Sequence, residues 1–251
     1  MISEEIIMKI LNEGKRLDGR GFLDYRKIEI ERNVIPKAEG SARVKIGSTE
    51  VIAGVKLELA QPFPDNPNEG ILIVNAEFPP IAHPTFEPGP PNENAIELAR
   101  LVDRLIRESK MIDLEKLFIE EGKVYGVFVD IHVISHDGNL LEAASLASVA
   151  ALHSTKVPKY ENQTLIRNEF VFNLPVKYKP VYVTIGKIND KYILDLTCDE
   201  EEVVNNLIAF GIRDDDVIVS IQKLKGAFKF SEMEKLVDLA LEKSKEIRKL
   251  L

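Results

Sequence analysis

Apolar and polar residues follow two distinct periods along this chain. Between residues 25 and 60 the apolar positions recur at every second residue: Tyr25, Ile28 and Ile30, then Ala42, Val44 and Ile46, then Val51, Ala53, Val55, Leu57 and Leu59. A period of two belongs to half-buried strands and predicts them over 25–32, 41–47 and 50–59. Glu39-Gly40 and Gly47-Ser48 supply turn signals, so the three read as an antiparallel meander. The segment 60–69, AQPFPDNPNE, cannot sit inside a sheet, because its prolines have no N–H for a ladder. Strands are expected again at 70–78, 117–119 and 123–135.

The helical period takes over after Pro88-Gly89-Pro90-Pro91. Asn92 is a good N-cap, and Ala95, Leu98, Ala99, Val102, Leu105 and Ile106 make one apolar stripe of a helix about four to five turns long. Arg100, Arg104 and Arg107 share the opposite face, within a sector of about 60°. Glu93 and Glu97 lie on that face near the N-terminus, where the helix dipole favours carboxylates. Two readings of the three arginines stand side by side. One is a solvated face with Glu97–Arg100 and Arg104–Glu108 ion pairs, each worth a few tenths of a kcal/mol. The other is a ladder of guanidinium forks for phosphates or partner carboxylates.

Residues 140–154, LLEAASLASVAALHS, are small and apolar nearly all round, which predicts a helix buried on several sides and ended by Val157-Pro158. Residues 160–179 read as an extended linker. A second unit then offers strands at 181–188, 191–196, 203–211 and 217–224, and a final helix capped by Ser231. A short amphipathic helix is expected at 3–13. Strands followed by helices recur in both halves, an α+β arrangement with mixed and antiparallel sheets that leaves room for a structural duplication.

With 251 residues, 45% of them hydrophobic, the chain can bury a large core. No apolar run reaches the ~20 residues of a bilayer span, and the opening residues mix acids and bases, unlike a secretory signal. The single cysteine, Cys198, excludes an internal disulfide and fits a reducing cytosol, so a cytoplasmic setting is expected. The net charge of −8 argues against a free-standing nucleic-acid binder; contact with RNA would need a local basic patch completed by another subunit.

His132 and His136 fall on the strand face of Asp130, but without a CxxC or HExxH frame they do not make a metal site. His83 and His153 are isolated. The run Asp199 to Glu202 reads as a solvated turn or helix start, and neither a cofactor nor a metal is expected.

Arg16-Leu17-Asp18-Gly19-Arg20, followed by Glu39-Gly40-Ser41-Ala42, Val44-Lys45-Ile46-Gly47 and Glu50-Val51, resembles the opening of RNase PH-type phosphorolytic exoribonucleases. The stretch Thr85-Phe86-Glu87-Pro88-Gly89-Pro90-Pro91 ahead of the arginine helix is similar to one branch, the non-catalytic RNase PH-like subunits of the archaeal exosome. The resemblance runs from about residue 15 to the final helix. It implies a two-lobed RNase PH-like fold: an N-terminal helix and basic turn over 1–24, lobes over 25–160 and 181–251, and a linker over 161–180.

Active members of that family attack the 3′ end of RNA with inorganic phosphate and release nucleoside diphosphates. They hold phosphate with a Gly-Ser/Thr-Arg stretch that opens a helix. Here the matching stretch is Asp137-Gly138-Asn139-Leu140-Leu141, and Leu141 takes the arginine position. They also use an aspartate some residues after a Leu-Asp-Leu strand, to assist the leaving group. Leu194-Asp195-Leu196 is present, yet without gaps that aspartate falls on Leu207, and Asp195 by itself reads as structural. No catalytic residue is expected. The resemblance implies binding in its place: a ring of three heterodimers with a catalytic RNase PH-like subunit, small RNA-binding cap subunits, and an RNA path bordered by Arg100, Arg104 and Arg107, of which Arg100, nearest the start of the helix, is the first candidate for RNA or phosphate and the others are candidates for pairing across the subunit boundary. The rival readings are a phosphorolytic 3′–5′ exoribonuclease active by itself and a self-assembling scaffold with no role in RNA.

Overall fold

A computed structural model describes residues 4–251; the first three, part of the expected N-terminal helix, lie outside the described residues. Helix α1 spans Glu4–Asn12 and buries Ile7 and Leu11. Strands β1 (Ile28–Arg32), β2 (Gly40–Ile46) and β3 (Thr49–Ala60) form the expected meander. With β4 (Ile71–Glu77), β5 (Phe118–Glu120) and β6 (Lys123–Ser135) they build a six-stranded sheet ordered β1-β2-β3-β6-β4, with β5 on β6. Strand β4 runs parallel to β6 and forms an edge of the sheet; helix α2 (Glu93–Glu108) lies on the crossover between them.

Helix α3 (Leu140–His153) is the hub. Every residue from Leu141 to Leu152 is buried, because the helix packs against β2 and β3 on one side and the second sheet on the other. Its small residues allow that double contact. Gly40 shows how close the approach is: a Cβ there would lie 2.1 Å from Thr155 Oγ1 and 2.5 Å from the Ala151 carbonyl oxygen.

The second sheet is antiparallel, ordered β10-β9-β11-β12, from β9 (Val181–Ile188), β10 (Lys191–Leu194), β11 (Asn206–Ile212) and β12 (Ile218–Lys225). Helix α5 (Met233–Arg248) covers it, and one hydrophobic core runs through α3 from the first sheet to the second.

Four expectations are corrected. The stretch 160–179 is not a plain linker: β7 (Lys156–Glu161) and β8 (Thr164–Asn173) pair as a hairpin. Helix α3 stops at His153, and Pro158 lies inside β7, where the register shifts because a proline cannot donate to the ladder. The strand expected from residue 203 begins at Asn206, since Thr197 and Glu200 form a capping box that opens a short helix, α4 (Cys198–Val203). Ser231 does not cap the final helix; it lies in a 3-10 turn, Phe230–Glu232, where the Glu232 carboxylate accepts the Lys229 N–H at 3.0 Å.

Replacing Gly40 with Ala would push a methyl group into the α3 backbone. Gly40→Ala should lower the unfolding free energy by about 1–3 kcal/mol, measured by denaturant titration, whereas Gly122→Ala, with open space around its Cβ position, would report only the backbone cost of its positive φ.

Candidate functional site

The two lobes meet at Asp195, a carboxylate with no exposed surface. It ends β10 in a left-handed backbone conformation, φ 46°. Arg26 binds it from three directions: its backbone N–H and Nε donate to Oδ2 at 2.7 and 2.9 Å, and Nη2 donates to Oδ1 at 2.7 Å. Arg20 adds Nη1 to Oδ2 at 2.8 Å. Burial pushes the Asp195 carboxyl up, but the bonds and charge of Arg26 outweigh it and hold the group below its ordinary range. The basic turn at 14–20 therefore serves the fold. Arg16 is buried, pairs with Glu200 through Nε at 2.8 Å, and donates to the Leu194 and Asp195 carbonyl oxygens at 2.9 and 2.8 Å.

The start of α3 faces this carboxylate. Gly138 and Asn139 both adopt positive φ, 81° and 56°. Glycine is required at 138, because a Cβ would lie 2.2 Å from the Leu196 carbonyl oxygen. Asn139 Nδ2 donates to Asp195 Oδ1 at 2.9 Å, and the Asn139 backbone N–H donates to Glu201 Oε1 at 2.7 Å. A helix N-terminus attracts anions, and here the chain's own Glu201 supplies one. Burial pushes the Glu201 carboxyl up to about 7, and the Asn139 N–H and the charge of Arg26 pull against it.

Three residues beyond Asn139, the buried Glu142 accepts the Thr184 N–H of β9 through Oε1 at 2.6 Å. Leu141 is packed into the main core, and Leu207 lies against the second cluster formed by Ile7, Leu11, Ile193 and their neighbours. Neither leucine offers a ligand for phosphate or a group that moves a proton.

Helix α2 matches its expected form. Asn92 Oδ1 accepts the Ala95 N–H at 2.9 Å, and the predicted apolar stripe is buried. Arg100, Arg104 and Arg107 are all exposed and together line one recess of about 560 Å³ between α2 and the edge strand β4. The expected Glu97–Arg100 and Arg104–Glu108 pairs do not form. Arg104 Nη1 instead donates to Gln222 Oε1 on β12 at 2.9 Å. Arg107 pairs with Asp103 at 2.8 Å and donates to the Leu72 carbonyl oxygen on β4 at 3.1 Å. Arg100 has no partner among the described residues.

The histidines go elsewhere. His136 stacks on Phe86 with centroids 5.6 Å apart, meets His83 edge-on, and accepts the Gly138 N–H through Nδ1 at 3.2 Å. Burial pushes it down to about 4, so it is neutral at pH 7. His132 sits against Glu77 at 3.4 Å, and His153 against the Tyr178 carbonyl oxygen at 3.2 Å. Among the described residues no group of three or more His, Cys, Asp or Glu is placed to hold a metal ion, and no helix is long and apolar enough to cross a membrane. Sequence reasoning missed Arg26, Glu142, Glu201 and Thr184. The one available signal was Glu142, a lone charge in a helix otherwise made for burial.

Residues 24–158 match the 3′ exoribonuclease family, domain 1, and residues 179–243 match domain 2 of the same family. The chain is 49% identical over 259 residues to the exosome complex component Rrp42 of Pyrococcus abyssi, covering 100% of this chain and 93% of that protein. It is 47% identical over 250 residues to the Archaeoglobus fulgidus Rrp42, covering 98% and 95%. Among solved structures, it resembles a chain of the Archaeoglobus fulgidus exosome with RNA bound to the active site, with TM-score 0.91, 46% identity, and 98% and 96% of the two chains covered. Its fold also matches that of rice Rrp46, with TM-score 0.70 at 21% identity over 92% and 96% of the two chains.

Asp195→Asn would leave the Arg26 and Arg20 guanidinium groups without their counter-charge and should cost about 3–5 kcal/mol of stability at pH 7. The sign with pH follows from the lowered carboxyl. Its contribution is present above the unfolded value of 3.8 and is lost as pH falls through the folded one. Urea titrations of both proteins should therefore give a stability gap that narrows below that point; a gap independent of pH would contradict it.

Proposed function

This chain belongs to the 3′ exoribonuclease family of RNase PH type, and on that premise we propose that it is the non-catalytic RNase PH-like subunit of an archaeal exosome. It works in the cytoplasm within a ring of three heterodimers, alternating with a catalytic RNase PH-like partner that carries out 3′–5′ phosphorolysis. Residues 25–160 and 181–251 are its two lobes, and the ring carries small RNA-binding cap subunits.

The single observation that supports the absence of its own chemistry is the Glu201 carboxylate seated on the Asn139 N–H. An incoming phosphate would have to displace the resident Glu201 carboxyl group at that helix start. The positions the family resemblance assigns to an arginine and an aspartate are Leu141 and Leu207, packed in two separate apolar clusters and offering neither charge nor proton. What the chain contributes is an RNA path. Arg100, Arg104 and Arg107 line one recess, and a row of guanidinium groups suits a phosphodiester backbone read without regard to base. Arg100 is the best placed to bind, since Arg107 is tied to Asp103 and Leu72 and Arg104 to Gln222. The net charge of −8 opposes RNA at long range, so the path takes effect where the partner's basic residues complete it.

Arg100→Ala in the reconstituted ring should weaken RNA binding uniformly across sequences and reduce the slope of log K against log salt by about one. Unchanged affinity and slope in a salt series would remove Arg100 from the path. Incubated alone with RNA and inorganic phosphate, the chain should release no nucleoside diphosphate, and the ring should. Release by the isolated chain would favour a self-sufficient phosphorolytic enzyme.

A further inference from the structure

Four buried oxygen atoms at the seam have no hydrogen-bond partner among the described residues: Tyr25 Oη, Asn139 Oδ1, Glu142 Oε2 and Thr184 Oγ1. They come from the segment ahead of β1, the first turn of α3, and β9. Unmet polar atoms in an interior are costly; Tyr25 and Thr184 are hydroxyls that carry a proton of their own, whereas Asn139 Oδ1 and an ionised Glu142 Oε2 can only accept. The Asn139 amide cannot be turned round to supply one. Its Nδ2 donates to Asp195 Oδ1 at 2.9 Å, and Asp195, ringed by guanidinium and amide donors, is ionised and has no proton to offer. Asn139 Oδ1 is therefore left as an acceptor. Glu142 lies within hydrogen-bonding reach of both Asn139 and Tyr25, and its Oε1 is already engaged by the Thr184 N–H. Glu142 is fully buried with no cationic partner among the described residues; the Tyr25 hydroxyl can donate to Glu142, which still leaves Asn139 Oδ1 unmet, and a proton on Glu142 supplies that bond.

We propose that Glu142 is held as a carboxylic acid whose Oε2–H donates to Asn139 Oδ1, and that this proton is a pH-sensitive latch between the lobes. It completes an unbroken chain from Thr184 through Glu142, Asn139 and Asp195 to Arg26. The charged and titratable groups that face the cluster support a neutral Glu142. Asp195 at the end of β10, Glu201 on α4 and Glu246 on α5 are acids, Tyr25 is a buried phenol, and the cations Arg26 and Arg20 are engaged by Asp195. Burial pushes the Glu142 carboxyl up to about 8; the Thr184 N–H and, more weakly, Tyr25 and Asn139 pull it back, and the Asp195 charge raises it further. The folded protein thus keeps a proton that the unfolded chain releases above about 4.5. Ionisation near pH 8 would set two acceptors against each other and loosen the seam.

The test uses the full chain and Glu142→Gln, whose amide keeps a donor in place at every pH. With carboxyl-labelled glutamate, infrared difference spectra should show, beside the Glu201 component that titrates near 7, a protonated-acid carbonyl band that titrates away near pH 8 and is missing from Glu142→Gln. Hydrogen exchange at the Thr184 amide, corrected for intrinsic base catalysis, should lose at least tenfold protection between pH 7 and pH 9.5 in the natural chain and stay flat in the variant. Glu201→Gln should retain the band. No acid band, a band that vanishes with Glu201→Gln, or matching exchange profiles for the natural chain and Glu142→Gln would each overturn the proposal. The infrared measurement on the natural chain stands even if the Glu142 variant does not fold.

Discussion

A carboxylate taken wholly out of water must be met by opposite charge and by donors for each of its lone pairs. Asp195 is in that position, and the lobes are held in register by what it requires. Arg20 and Arg26 come from the chain ahead of the first sheet, Asn139 from the start of α3, and Asp195 itself from the second sheet. Its left-handed backbone also ends β10 and leaves the Thr184 N–H of β9 free to bind Glu142, so one residue sets both the ionic contact and the neutral one. A network of this kind adds little to net stability compared with an apolar seam of the same volume. What it does is exclude other dockings, because any shift strands a charge.

The same seam decides what chemistry is possible. A helix N-terminus beside two arginines is a place for an anion, and the chain fills it from within: Glu201 at the Asn139 N–H and Asp195 at the guanidinium groups. The positive ends of this frame hold the protein's own carboxyl groups. On the proposed non-catalytic reading, more than the two leucines stands against catalysis. The remaining groups are engaged with one another, so restoring an arginine at 141 would leave Glu201 still in place.

How much of this the sequence revealed depended on the range over which each feature is encoded. Strand β6 and strand β9 have the bounds that alternation predicted, and the buried character of α3 followed from its even apolarity. Strand β8 escaped because its apolar residues are exposed on both faces: Phe170 is 48% exposed and Val171 52%, so no one-sided pattern exists to read. Helix α4 was legible only through its capping box, Thr197 with Glu200, against an acidic run that looks like a turn. The seam was not legible at all. Arg26 and Asp195 stand 169 positions apart, and nothing local to either tells a reader that they meet.

The arginine row shows the same limit from the other side. Helical spacing placed Arg100, Arg104 and Arg107 on one face and put Arg100 first as nearest the helix entry, but could not show which of them are tied down, because that is set by neighbours from β4 and β12. Arg107 covers a carbonyl oxygen on the open edge of the first sheet, where an unpaired strand would otherwise expose a bonding template. Arg104 reaches across to Gln222 on the second sheet. Both are anchored by bonds to another element, and Arg100 has no such anchor among the described residues. A path for a strand that must slide needs contacts that do not depend on base identity and a grip that can be renewed at each step. In the proposed RNA path, one unpaired guanidinium at the N-terminal end of the row, followed by two anchored ones, meets both conditions.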